Sequence, residues 1–500
     1  MSPFGLKPAT ERAIWLLLAL VSALPFIVAP LPILPDLFTH IGRYHVMNHL
    51  GDAWLSRYYA FDWHITGNLG VDLLMVWLGP ILGTEKAAYL ITAMIPPIAV
   101  LGIYRLARAV HGCVPAPAYL AILLIWSFTF HHGFVNYWLG VGLALHIAAS
   151  WVHLRDAPLW GRTLFAFVAA LLIWLCHTSA WGILGLLIAG IEFARDKRLV
   201  GFILRMVPWA SPLLPMLIWR ATKGGGELFE RWWPMAKLRG LTHMLRSELE
   251  WFDVASAALV ILLAIWLHVD RRFRHDHGLR LATLALLAVA IILPSTVLSS
   301  YFADVRLFAP LLMIAFLAVS RIPPRAARLI ALGGVFLFLV RIGETSVGWI
   351  QRGHEIEADL AALDQVPMGA RIAVLAHSSE CGVWPLAGRN HAPSLAIARR
   401  HAFVNTQWDI PGQHLMRPIY NEGQGFNDSR SVELFNPVFG CPGFRVRTFL
   451  RYLPRERFDY VWIWEAEAPP AAFSWLTPIY TGPTARLYSI RKTPSSSAGG

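Results

Sequence analysis

The stretch LPDLFTHIGRYHVMNH, residues 34 to 49, sets an acid, an imidazole and a guanidinium at spacings of four and three: Asp36, His40 and Arg43. On a helix over 36 to 59 these three share one face. A carboxylate can take a proton from a hydroxyl or amine held within hydrogen-bond reach. A guanidinium matches phosphate oxygens in a bidentate way. The plain alternative is that Asp36, directly after Pro35, caps the helix and that the three side chains pair along it. Capping accounts for the acid alone. Ionisable groups beside a greasy segment are costly unless they face water or a site. Asp36 is therefore the candidate catalytic residue, with His40 and Arg43 as candidate binding residues.

Other polar clusters recur at the ends of apolar runs. Tyr58, Tyr59, Asp62, Trp63, His64, Asn68 and Asp72 combine aromatic rings with hydrogen-bonding groups. That mixture suits a carbohydrate or headgroup cleft, and also an ordinary interfacial belt. The run HHGFVNYW adds His131, His132 and Asn136; CHTSAWG adds His177; SSYFADVR adds Asp304 and Arg306. Of these, Tyr58, Tyr59, Asp62, His64, Asn68, His131, His132, Asn136, His177, Asp304 and Arg306 are candidate substrate-binding residues. His45 and His49, with Asp52 beyond, have a spacing that can hold a divalent metal. No glutamate completes an H-E-x-x-H motif, so surface histidines are the favoured reading and the metal question stays open.

The elements that must position these groups are mostly membrane spans. Of 500 residues 56% are hydrophobic and only 15% charged. Apolar runs near the length of a span recur along the chain. The net charge of +12 points to basic cytoplasmic loops rather than to nucleic acid. Lys7 and Arg12 place the N-terminus inside. The first apolar run, about Ala13 to Pro35, is too long for a signal-peptide core and lacks a clear cleavage site. Counting runs against basic loops gives about eleven spans, which leaves the C-terminal tail outside. A long outer loop runs from Asp36 to about Thr84. Within it the apolar stretch 70 to 82 is too short to span and reads as juxtamembrane or re-entrant. Reading it as a span would put Arg105, Arg108 and His111 outside, against the basic-loop rule. One outer loop, with Arg220, Lys223, Arg231, Lys237, Arg239 and Arg246, is basic on the wrong side. Anionic substrates or headgroups would explain it, with Arg220 as a candidate contact.

The chain thus divides into a transmembrane region 1 to 345, an outer α/β domain 346 to 492 and a disordered tail 493 to 500. In the outer domain ARIAVLAH, FDYVWIW and ARLYSIR read as short buried strands, and HEIEADLAALDQV as a helix leading into them. No nucleotide-binding or nucleophile-elbow motif is present. Cys381 and Cys441 both fall in the outer domain, where a disulfide between them is feasible.

The pattern resembles the GT-C superfamily of membrane glycosyltransferases, which includes protein O-mannosyltransferases, aminoarabinose transferases and oligosaccharyltransferases. Asp36 stands where such proteins carry an acid after the first span, followed here by HIGRY. WLSRYYAFDWHITGNLGVDLLMVWLGPILGTEKAAYLI matches a loop with juxtamembrane helices, IYRLARAVHG the basic end of the next span, and HHGFVNYWLG the polar outer turn. The resemblance is detailed over about the first 200 residues and lies in layout beyond them. It implies a bacterial inner-membrane enzyme with a cytoplasmic N-terminus and a periplasmic C-terminal domain. The donor would be a polyprenyl-phosphate-linked sugar and the acceptor a periplasmic glycan, lipid or protein. Asp36 would act as general base in a single inverting displacement, and Arg43, Arg306, Arg220 and Lys223 would face the lipid phosphate. His40 would orient Asp36 or bind that phosphate. Where the family often has a second acid in the outer turn, this chain has His131, His132 and Asn136, which puts metal dependence in doubt. Two rivals remain: a non-catalytic component of envelope polysaccharide assembly, and a transporter of lipid-linked glycans, for which no internal repeat speaks.

Overall fold

The computed structural model describes residues 4–223, 232–297, 300–377, 384–410, 412–434 and 443–492. The principal helices are α1 (Pro8–Ser22), α2 (Pro35–Asn48), α3 (Gly70–Leu82), α4 (Thr84–His111), α5 (Val135–His153), α6 (Leu159–Cys176), α7 (Thr178–Arg195), α8 (Glu250–Val269), α9 (His277–Ile292), α10 (Val305–Ala318) and α11 (Pro324–Leu360).

Among the described residues five helical stretches are long and apolar enough to cross a membrane: α4, α5 extended to Asp156, α6, α8, and α11 extended to Gln365. A sixth arises if Leu199–Ala210 and Leu213–Lys223, bent by 48°, form one span. A polytopic fold of about eleven transmembrane helices is therefore not what the described residues form. An apolar window measures composition, whereas a span needs an unbroken helix. The first run breaks at Ala23 between α1 and the short helix Leu24–Val28, which has Pro25 in its first turn. The run 115 to 130 folds as Ala118–Ala121, a 3-10 stretch Ile122–Trp126 and Phe128–His131. Helices α9 and α10 have 16 and 14 residues, short of the ~20 that a bilayer requires. Almost every residue of α10 is buried, so its greasiness serves packing against protein.

Helix α2 begins where Pro35 occupies its first turn, a position that suits proline because its missing N–H is not needed there. Leu34, not Asp36, is the capping residue, and no side chain caps the helix. Asp36 sits one residue inside the first turn and is left to other partners.

The C-terminal region carries the expected sheet. Numbered in chain order with the separate pair β1 (Tyr59–Phe61) and β4 (Met416–Pro418), its strands are β2 (Arg371–Leu375), β3 (Phe403–Val404), β5 (Tyr460–Trp464), β6 (Leu476–Thr481) and β7 (Ala485–Ile490). The sheet runs β3-β2-β5-β7-β6, with β2 parallel to β3 and β5, and β7 antiparallel to β5 and β6. Strands β2 and β5 are apolar runs buried on both faces, as parallel strands usually are. Near its end α11 presents Asp359, which accepts from the backbone N–H groups of Thr484 and Ala485 at 3.1 and 2.9 Å.

The first loop is stitched to this region. β1 pairs antiparallel with β4. Tyr58 donates to the Gly369 carbonyl at 2.6 Å, and the Tyr59 hydroxyl accepts from Val404 N–H at 3.0 Å. Arg399 grips both oxygens of Glu85, at the head of α4, at 2.9 Å each. Cys381, Cys441, Arg231 and the tail 493 to 500 lie outside the described residues, and Cys113 and Cys176 are free thiols.

Candidate active site

A cavity of about 540 Å³ opens between the head of α2, the turn 131–136, the start of α10 and residues 407–410 and 412–416. Eight of the candidate residues line it: Asp36, His40, Arg43, Asn68, His132, Asn136, His177 and Arg306. Residues more than 250 positions apart in sequence thus meet around one space.

Asp36 is held there by backbone contact. Its N–H donates to the His132 carbonyl at 3.0 Å. Gly133 makes this approach feasible. Its φ is +102°, and a Cβ there would lie 3.0 Å from Asp36 Cβ and from the N atoms of Asp36 and Leu37. The carboxylate meets His132 Nδ1 at 3.4 Å, an ion-pair distance longer than an ordinary hydrogen bond, and stays 22% exposed. Burial alone would raise the Asp36 carboxyl. His132, then His391 and His40, outweigh it and hold the group well below the usual carboxylate range. His40 goes the other way for an imidazole: burial, then the charge of Arg43, push it down to about 3 despite Asp36 nearby. At neutral pH the pair is an ionised Asp36 beside a neutral His40.

Arg43 is committed elsewhere. Its Nη2 lies 3.0 Å from both carboxylate oxygens of Asp72 on α3, and the two side chains are 9% and 0% exposed. Asn136 completes the arrangement. Its amide donates to Asp72 at 3.1 Å and to the Asn68 carbonyl at 3.0 Å, while its own oxygen accepts from Val71 N–H at 2.5 Å. Arg43 and Asn136 line the cavity with Asp72 behind them, a neutralised wall rather than an open cationic contact.

Arg306 differs. It lies in the first turn of α10, buried, with its guanidinium 4.4 Å from the Phe134 ring centroid. One nitrogen donates to Ser300 Oγ at 2.9 Å and stands 3.2 Å from His177 Nε2. No carboxylate among the described residues pairs with it, and its Nε has no hydrogen-bond partner. Asp36 acts on it only through space, without a direct ion pair, and an anionic ligand would offset the cost of burying the guanidinium.

The remaining candidates are not in the cavity. Tyr58 and Tyr59 dock the loop on the C-terminal sheet. Asp62 pairs with Lys223 at 2.6 Å, and His64 contacts the carbonyls of Asp62 and Gly412. His131 is buried against Trp126 and Trp349. Asp304 binds Lys237 at 2.9 Å and Ser295 at 3.0 Å and caps α10. Arg220 sits near the end of Leu213–Lys223 and does not line the space. His45 stacks on His49 with 4.0 Å between ring centroids, and Asp52 pairs with His401 instead. Among the described residues no three His, Cys, Asp or Glu are arranged to hold a metal.

The far wall comes from the C-terminal region: His391, Gln407, Trp408, Gln413 and His414. The one signal for it in the sequence is the run NTQWDIPGQH, 405 to 414, dense in amide and imidazole groups between strands.

The chain matches no protein-family model and no curated protein. Among solved structures, the crystal structure of ArnT from Cupriavidus metallidurans bound to undecaprenyl phosphate aligns over 97% of this chain and 98% of that one. The identity is 12% and the TM-score 0.49, which assigns neither family nor function.

Proposed function

We propose that the chain is a membrane glycosyltransferase of GT-C type that moves a sugar from a polyprenyl-phosphate-linked donor to an acceptor at the outer membrane face. The observation that carries this reading is the meeting, in one cavity, of an ionised carboxylate, Asp36, and a guanidinium, Arg306, that makes no direct ion pair among the described residues.

In this reading the acceptor hydroxyl or amine lies against Asp36. As its oxygen or nitrogen bonds to the anomeric carbon, the bond from that carbon to the phosphate oxygen breaks on the opposite face. The acceptor proton becomes acidic as the new bond forms and passes to Asp36, so an ionised carboxylate of low basicity suffices. The departing phosphate keeps the electron pair, and its charge develops towards Arg306. His132 holds the Asp36 carboxylate in place. The apolar side chains Phe134, Phe302, Ile410 and Met416, also lining the cavity, would take the sugar faces and the first carbons of the lipid. The C-terminal region from about 346 would sit on the periplasmic side, contributing its wall to the acceptor side of the cavity.

The test is sugar transfer from a lipid-linked donor pool in membranes carrying wild type or Asp36→Asn at matched expression. Loss of about 10²–10⁴-fold is expected for removal of a general base. Transfer by Asp36→Asn at the wild-type rate would remove Asp36 from the mechanism, and no transfer by wild type would favour a non-catalytic role in polysaccharide assembly.

A further inference from the structure

His177 stands between two nitrogen donors. It precedes α7 as the capping residue, and its Nδ1 accepts from Ser179 N–H at 3.0 Å. A backbone N–H can only donate, so this cap is made by the ring with its lone pair on Nδ1. In a neutral imidazole the proton is then on Nε2. Yet Nε2 faces the Arg306 Nη1 at 3.2 Å, and a guanidinium also can only donate. In the capping tautomer two N–H groups therefore point at one another across a buried contact. Burial, then the charge of Arg306, hold the imidazole well below its usual pKa, so protonation is no escape, and it would also cost the Ser179 cap by placing a proton on Nδ1.

An acceptor between them resolves the conflict. We propose that His177, fixed by its cap as the Nε2–H tautomer, and Arg306 form a two-donor seat for a phosphoryl oxygen. Ser300 Oγ, 2.9 Å from the same guanidinium nitrogen, stands at its edge. Both principal donors line the cavity, and Arg306, 8% exposed, has no partner for its Nε among the described residues. A phosphoryl oxygen is acceptor-only and anionic, which fits a neutral N–H beside a cation. A neutral imidazole donor also makes the seat insensitive to pH near neutrality, unlike a protonated histidine. The place of this seat in a reaction rests on the glycosyl-transfer reading above; the donor arrangement does not.

The experiment uses the full chain in nanodiscs with ¹⁵N-labelled histidine, and His177→Asn to assign the signal. Two probes are added, inorganic phosphate and dodecyl phosphate. The expected result is a His177 ring protonated at Nε2 and bare at Nδ1, with the Nε2 signal moving on addition of dodecyl phosphate. The asparagine of His177→Asn keeps an oxygen for the Ser179 cap, as asparagine does at such positions. It should bind dodecyl phosphate about 10- to 100-fold more weakly, the range for one hydrogen bond to a charged group. Equal response to both probes assigns the seat to the phosphate alone; response to dodecyl phosphate only assigns it to a lipid-linked phosphate. A ring protonated at Nδ1, wild-type affinity in His177→Asn, or no response to either probe would overturn the seat. None of these readouts involves sugar transfer, so the seat and the enzyme reading fail separately.

Discussion

Arg43 offers the most direct check on the site's construction. From the sequence it is a phosphate contact; in the fold its charge is spent on Asp72. Nη2 lies 3.0 Å from each Asp72 oxygen, with exposures of 9% and 0%. At such a spacing the attraction is about 5 kcal/mol for an effective dielectric constant near 20, before desolvation takes back most of it. The net pair is thus worth little against an apolar substitute, while either half alone is a stranded charge. Arg43→Met should cost about 3–5 kcal/mol, because Asp72 is left buried with Asn136 as its remaining side-chain donor. Asp72→Leu should cost about as much, and the double variant Arg43→Met, Asp72→Leu should recover all but ~1–2 kcal/mol, giving a coupling of at least ~4 kcal/mol. The assay is unfolding in mixed micelles titrated with dodecyl sulfate, for wild type, both single variants and the double. Single variants that each cost below about 1 kcal/mol, or a double variant equal to their sum, would refute the pair as the wall of the cavity.

Gly133→Ala should destabilise the chain by about 1–3 kcal/mol and lower transfer as well, since a side chain at φ +102° is strained and would press on the backbone N atoms of Asp36 and Leu37. Its unfolding midpoint and transfer rate are measured together, and wild-type values for both would show that the turn does not set Asp36. His40 and His45 are each pushed down to about 3, His40 by burial then Arg43, and His45 by burial then His49 and His401. Their unfolded values lie near ~6.5, so their contribution is full above that pH and is lost as pH falls towards about 3. Stability should therefore decline between about pH 6 and 4, and His45→Asn should flatten the slope by one proton, ~1.4 kcal/mol per pH unit. An unchanged slope in that variant would show His45 to be protonated in the fold.

What the sequence makes legible follows from which signals are local. The shared face of Asp36, His40 and Arg43 is a matter of helical spacing, and α2 delivers it into the cavity. The strands at 371–375, 460–464 and 485–490 stand out as short apolar runs between turns, and they form the centre of the C-terminal sheet. The span count is not legible in the same way, because apolar runs such as α10 are equally required inside a protein core. Partner choice is also invisible: nothing in the spacing distinguishes an arginine held by Asp72 from one, Arg306, that is not. The cavity's far wall, His391 and 407 to 414, depends on β1 meeting β4 across more than 350 residues of chain.

Helix α11 has a consequence for how the site meets its surroundings. Its 37 residues make a rod of about 55 Å, against a hydrocarbon layer of ~30 Å. Along that rod Trp349 packs on Trp126 and Phe26, close below the turn that holds Asp36. Gly353 lies against Pro30 and Leu31, at the approach to α2. Ten residues beyond Trp349, Asp359 grips the sheet that carries the opposite wall. One stiff member therefore indexes both walls, as a jig holds two workpieces. The spacing between Asp36 and its far wall is thereby tied to protein contacts along a single helix.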